Sequence, residues 1–270
     1  MYKMPDQKPD ISTYRGIDTS KAYEEWQKEQ DELERTRKKQ EPPKQEPRII
    51  QAQTGINPED YIFLEGKTGK HGYPDTLIKM KKSLFNRNWN EQHEQLSQNG
   101  MHMLTIRKFA DFLTLLKTGK AYDGNGNRIS QQKIDSILDE ITALRNPWRA
   151  EFLDALFEEK NGVLHINYNH RIKNGKLQAL NSEPLDCLMQ DKTPGINLDS
   201  WLKTADKHGL PTTRTKNGDL RYWHPRANRA AGFVADSDWA ILDCYRYPED
   251  SDSSLGVRAC VDAEDASHQG

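Results

Sequence analysis

Between Tyr222 and Asp252 stand side chains whose types suit gripping a partner better than reacting with one. Trp239, Asp243, Tyr245, Arg246 and Tyr247 follow closely on one another, with Asp236 and Asp238 before them and Asp250 and Asp252 after. Tyr222 and His224 lie just upstream. Aromatic rings offer rigid contact area, while carboxylate and guanidinium groups add adaptable, directional hydrogen bonds. Nothing in the chain has the order of a Ser/His/Asp nucleophile elbow or of a Gly-rich phosphate loop. Asp123-Gly124-Asn125-Gly126-Asn127 alternates oxygen donors as a calcium loop would, but the bidentate Glu is missing from its register, which leaves a turn. His165 and His170 flank Tyr168 with no carboxylate or cysteine at metal spacing, and read as surface histidines on a hairpin. Cys187, Cys244 and Cys260 are too few and too scattered for a disulfide framework or a zinc site. No metal and no cofactor are expected.

The elements that must carry these groups show in the pattern around them. Ala231, Phe233 and Ala235 share one parity, with Gly232, Val234 and Asp236 between them. After Ser237-Asp238, Ala240, Leu242 and Cys244 take one face, and Trp239, Ile241, Asp243 and Tyr245 take the other. Period two predicts a pair of strands joined by a turn at Asp236-Ser237-Asp238. Further upstream, Leu77, Ile78, Lys81 and Leu84 predict a helix over Asp75 to Phe85, and a short helix is expected from Trp89 to Ser97. Thr105 caps the clearest helix, with Ile106, Phe109, Ala110, Leu113 and Leu116 on one stripe and Gly119 as its stop. Ser130 caps another, carrying Ile134, Ile137, Leu138 and Ile141. Leu153–Phe157 and Val163–Tyr168 are strand-like around Asn161-Gly162, and Asn174-Gly175 signals a second hairpin. Leu198 to Ala205 predicts a further helical piece.

The formal net charge of −2 over 270 residues carries no electrostatic footprint for nucleic acid. No run approaches the roughly 18 apolar residues of a membrane span, and the first residues lack the apolar core of a signal peptide. A cytoplasmic protein is the default expectation, with a phage particle or a cell surface left open. Residues 1–50 read as a charged appendage: a helix from Ser20 to about Gln40, then the stiff linker Glu41-Pro42-Pro43-Lys44-Gln45-Glu46-Pro47. That helix is a possible partner-binding element. A globular domain is expected over 51–261, and a polar tail over 262–270.

Gly218, Tyr222-Trp223-His224, a strand pair, Tyr247-Pro248 and Ser253-Ser254-Leu255-Gly256-Val257-Arg258 occur in an order that resembles the C-terminal half of the formylglycine-generating-enzyme type of C-type lectin fold. Met103-Leu104-Thr105-Ile106 is similar to the early strand of that fold entering its first long helix. The likeness covers roughly residues 58–260 and implies an α+β, C-type-lectin-like domain. The enzymatic branch oxidises its substrate with copper and a pair of cysteines, and the matching stretch, about Ala230 to Asp236, contains none. A second branch, the variable proteins of diversity-generating retroelements, is similar in Asn146-Pro147-Trp148-Arg149-Ala150-Glu151, in Leu188-Met189-Gln190-Asp191-Lys192-Thr193-Pro194-Gly195-Ile196 and in the ending. In such systems a reverse transcriptase rewrites the gene's end with errors at template adenines, so Asn codons become Tyr, Asp, Ser, Gly or Arg. The resemblance implies a non-enzymatic binder of a protein or surface ligand, with a variable region within 222–258. Its ligand-binding positions would be Tyr222, His224, Asp236, Asp238, Trp239, Asp243, Tyr245, Arg246, Tyr247, Asp250 and Asp252, with Gly256 and Arg258 as scaffold. An oxidoreductase on the same fold and a phage structural or adhesion protein are the alternatives.

Overall fold

The structure, a computed structural model, describes residues 13–14, 17–18, 28, 56–185, 189 and 193–262. The chain divides into two compact units, residues 1–48 and 49–270. In the first, Thr13–Tyr14 (β1) and Ile17–Asp18 (β2) pair antiparallel. Apart from Lys28, which is helical, the expected N-terminal helix lies outside the described residues, as do the Pro-rich linker and the tail beyond Asp262.

The second unit is α+β. A small antiparallel sheet holds Tyr61–Leu64 (β3), Thr76–Lys79 (β4) and His102–Met103 (β5), with Ala259–Asp262 (β14) inserted between β4 and β5. The helix predicted over Asp75 to Phe85 is therefore wrong. Thr76, Leu77 and Ile78 are all buried because β4 has strands on both edges, and a strand buried on both faces loses its alternation. Beyond it, Leu84 and Asn86 take positive φ, 55° and 56°, which no helix accommodates.

The helices follow their caps. Asn88 and Glu91 form a reciprocal capping box at the start of Trp89–Gln98 (α1). The Thr105 hydroxyl accepts from Lys108 N at the head of Ile106–Thr118 (α2), and Gly119 ends it in the left-handed region at φ 66°. Ser130 caps Gln131–Thr142 (α3), and Asn197 caps the short Leu198–Thr204 (α4).

The larger sheet is built on Arg149–Lys160 (β6). Val163–Lys173 (β7) and Lys176–Pro184 (β8) extend it as hairpins, turning at Asn161-Gly162 and Asn174-Gly175, where all four residues have positive φ. On its other edge β6 pairs with Arg229–Ala235 (β11), which pairs in turn with Ala240–Arg246 (β12). Leu220–Trp223 (β10) runs parallel to β12, and Gly195–Ile196 (β9) closes that side. Leu255–Val257 (β13) pairs parallel with Ala150–Phe152, while β7 pairs only with Leu156–Lys160. The edge of β6 thus forks at Leu153–Ala155, and the Asp154 N–H leaves the ladder to donate to Leu104 O at 2.7 Å.

One face of this sheet packs on helices. Leu153, Ala155 and Phe157, Ala231 and Phe233, and Leu242 and Cys244 are buried with Phe109, Phe112 and Leu113 of α2, Ile134 and Ile137 of α3, and Trp201 of α4. Each large apolar side chain so buried contributes about 1.5–3 kcal/mol. On the opposite face Ala150, Phe152, Ala230 and Val234 pack with Trp89, Leu96, Leu255 and Val257. That second cluster reaches β12 only at the partly buried Ile241, and the outward residues of β10 and the later part of β12 stay partly exposed.

Candidate functional site

The open surface is built by alternation along two parallel strands. On β12, Ala240, Leu242 and Cys244 are buried while Ile241, Asp243 and Tyr245 stand half-exposed. On β10, Leu220 and Tyr222 are buried and Arg221 and Trp223 half-exposed, because the parallel register sets Tyr222 beside Leu242 and Trp223 beside Asp243. Trp223 and Tyr245 stack with centroids 5.9 Å apart and an 18° interplanar angle. Tyr247 follows at 6.5 Å from Tyr245 and is 50% exposed. Guanidinium groups cover these rings: Arg229 sits 3.7 Å over Tyr247 and 5.0 Å over Tyr245, Arg226 lies 5.1 Å over Tyr245, and Arg221 4.0 Å over Trp239. Each such pair is worth about 0.5–1 kcal/mol at an exposed site, so the face is partly preorganised rather than loosely solvated.

The eleven residues expected to bind a ligand are not equivalent. Trp239, Tyr245, Tyr247 and Asp238 are on the open face or its turn. Tyr222 is a correction: only 1% exposed, it is part of the core beneath the face. Asp236 spends its carboxylate on the turn, accepting from Asp238 N at 2.8 Å and Trp239 N at 2.7 Å. Asp252 accepts from Ser254 N at 2.6 Å, while its carbonyl accepts from Asn86 N and Leu255 N, so it shapes the loop before β13. Asp243 accepts from Tyr245 N at 2.9 Å and pairs with Arg246 at 3.5 Å; burial nevertheless raises its pKa above the ordinary carboxylate value. Arg246 lies 5.2 Å over Trp148 and pairs with Asp250 at 3.7 Å, which makes it a strut beneath the face. His224 is half-buried. The cations Arg221, Arg226 and Arg229 and the ring of Trp223 were not anticipated. Alternation could have found Arg221 and Trp223 once Tyr222 was placed inward.

A second constellation lies inside the domain, at the fork in β6. Asp154, with 0% exposure, points both oxygens at His170: Oδ1 lies 2.5 Å from the ring Nδ1, and Oδ2 accepts the backbone N–H at 2.9 Å. His170 is therefore not on the surface, as its hairpin setting suggested, but 5% exposed. The left-handed Asn169 (φ 56°) stands where β7 has parted from β6, whose last register partner is Asn167. His93 of α1 completes the group, its Nε2 lying 3.8 Å from Asp154 Oδ1. The Trp89 indole packs edge-on to both imidazoles, at 4.2 and 4.8 Å, and is anchored by its N–H donating to Leu153 O at 3.0 Å. Burial pushes the His93 pKa down to about 4 against the pull of Asp154, so the ring is neutral near pH 7. For Asp154, burial acts to raise the pKa, but the hydrogen bond from the His170 ring and the fields of the two neighbouring imidazoles outweigh it and hold the carboxyl below its ordinary value. His93 Nε2 has no hydrogen-bond partner. A buried polar atom left so costs roughly 1–3 kcal/mol.

Asp154 also borders a cavity of about 60 Å³ lined by His71, Tyr73, Arg107, Lys108, Tyr168 and His208 among others. The charges around it are matched locally: Asp111 takes Arg107, Lys67 and the Tyr73 hydroxyl, and Glu183 takes Lys207 and the Tyr168 hydroxyl. Compared with protein-family models, with curated proteins and with solved structures, the chain matches none of the three.

Proposed function

We propose that the protein is a non-enzymatic binding protein that presents the outer surface of β10 and β12, with the adjoining turns, to a protein or surface ligand. The observation that carries this reading is the layer of Arg221, Arg226 and Arg229 over Trp239, Tyr245 and Tyr247 on an open sheet face. Aromatic and Arg side chains are the types that dominate binding energy at protein interfaces. Directly beneath them, Ala240, Leu242, Cys244 and Tyr222 are buried, so outward residues can be exchanged while the packing below is kept.

In this reading the scaffold is a C-type-lectin-like domain of the formylglycine-generating-enzyme type, and the face is a region diversified by a retroelement. Two local features support the scaffold: the short β5 leading into α2, and the strand at Gly256-Val257 following the Pro248 loop. Asp238, Trp239, Tyr245 and Tyr247 are then contact positions, whereas Gly232 and the buried residues of β11 stay constant. The test is to sequence the 3′ end of the gene across a population that carries it, and to search the neighbouring DNA for a near-copy. Substitutions restricted to codons of outward residues and traceable to template adenines support the proposal. A uniform sequence, or changes spread equally over Leu242 and Phe233, rejects it.

A further inference from the structure

We infer that His93, Asp154 and His170 form a binding site for one divalent transition-metal ion, with zinc the ion their donors suit best. Each residue offers one ligand atom, and these atoms lie within 4.8 Å of one another. Ligands that share a zinc ion at about 2.0–2.2 Å stand roughly 3.0–3.6 Å apart. The 2.5 Å and 3.8 Å separations from Asp154 Oδ1 lie on either side of that span, and with no pair beyond 4.8 Å side-chain shifts of about 1 Å would close the shell. Two imidazoles and one carboxylate are a borderline donor set that fits zinc and its transition-metal neighbours; calcium and magnesium prefer all-oxygen shells.

A purely structural His–Asp pair explains only part of this geometry. It accounts for His170 and Asp154, which satisfy each other. It leaves His93 Nε2 buried, aimed at Asp154 and without a hydrogen-bond partner, on a residue 3% exposed. An ion accepts that lone pair and gives the three residues one function. The surroundings already hold the donors in place. Asp154 Oδ2 is fixed by the His170 N–H, and the anchored Trp89 indole limits rotation of both rings. The site would tie α1 to β6 and β7 at the point where β6 forks. Asp154 also lines the 60 Å³ cavity, which neither His93 nor His170 borders.

The test uses the full, tag-free chain stripped with a chelator and then titrated with zinc against a chromophoric competitor. One zinc per chain is expected, together with a cobalt-substituted form whose visible absorption reports a low-coordinate nitrogen/oxygen site. His93→Gln should weaken zinc roughly a hundredfold or more, whereas His165→Gln, on the exposed hairpin, should leave it unchanged. If His93→Gln does not fold, as judged by circular dichroism, the cobalt spectrum and zinc stoichiometry of the native chain decide. No stoichiometric zinc on the native chain, or equal zinc affinity in a folded His93→Gln variant, overturns the assignment.

Discussion

Arg258→Met is the perturbation with the most sharply defined cost. The Arg258 side chain has 0% exposure and reaches Glu151 through Nε at 3.2 Å and Nη2 at 3.4 Å, with Glu151 itself 2% exposed. Nη2 also donates to Glu140 at 2.8 Å, and Nη1 donates to the carbonyls of Lys79 and Met80. One guanidinium therefore joins the ends of β4 and β13 to α3 and β6. Methionine keeps most of the apolar stem, so the cavity contribution is small. What is lost is the compensation of a buried carboxylate: Glu151 has no other cation within reach among the described residues, whereas Glu140 keeps Lys82 at 2.9 Å. Removing one partner of a buried ion pair costs about 3–5 kcal/mol. For a domain of this size that lowers the melting temperature by roughly 6–20 °C. The assay is urea unfolding of the native chain, Arg258→Met, Glu151→Gln and the double variant. Because the cost of the single variant resides in the stranded charge, the double variant should recover about 1–3 kcal/mol relative to Arg258→Met. A single variant within about 1 kcal/mol of the native chain, or a double variant less stable than Arg258→Met, refutes the reasoning.

Trp239→Ala and Tyr247→Ala should each lower the unfolding free energy by no more than about 1 kcal/mol, the worth of the cation–π pair lost, whereas Tyr222→Ala should cost about 3–5 kcal/mol; equal effects at all three would erase the distinction between face and core. Burial acts to depress His102, yet the neighbouring Cys260 sulfur and Asp262 carboxylate hold its pKa up to about 9. A pKa raised on folding gives stability that is complete below about pH 6.5 and lost as the pH rises through 9. Unfolding free energies from urea titrations at pH 6 and pH 10 should therefore differ by about 1–3 kcal/mol, the lower figure reflecting the water that reaches Asp262, and Asp262→Asn should reduce the difference. Gly256→Ala places a Cβ 2.9 Å from Ser83 O and 2.8 Å from the Phe85 ring, so β13 must lift and stability should fall by about 1–3 kcal/mol; an unchanged melting temperature would contradict that contact.

The sequence by itself determined what depends on near neighbours. Thr105, Ser130 and Gly119 mark helix ends because a cap acts within one turn. Asn161-Gly162 and Asn174-Gly175 mark hairpins because only residues that tolerate positive φ make such turns. The alternation in 231–235 and 240–244 marked two strands and their inward residues, and the structure keeps both. Only the tertiary structure decided the rest. Leu77 and Ile78 read as helix from their spacing, and only β3 and β14 on either side make them strand. Tyr222 faces inward because β10 lies parallel to β12, a pairing made across the intervening β11 that no local pattern encodes. The side of the sheet carrying Arg221 and Trp223 follows from the same register. His93, Asp154 and His170 come from α1, β6 and β7, and Asp154 lies within an apolar run. Their meeting depends on the fork where β6 exchanges β13 for β7, and contacts between residues so far apart in the chain exist only once the whole sheet has assembled.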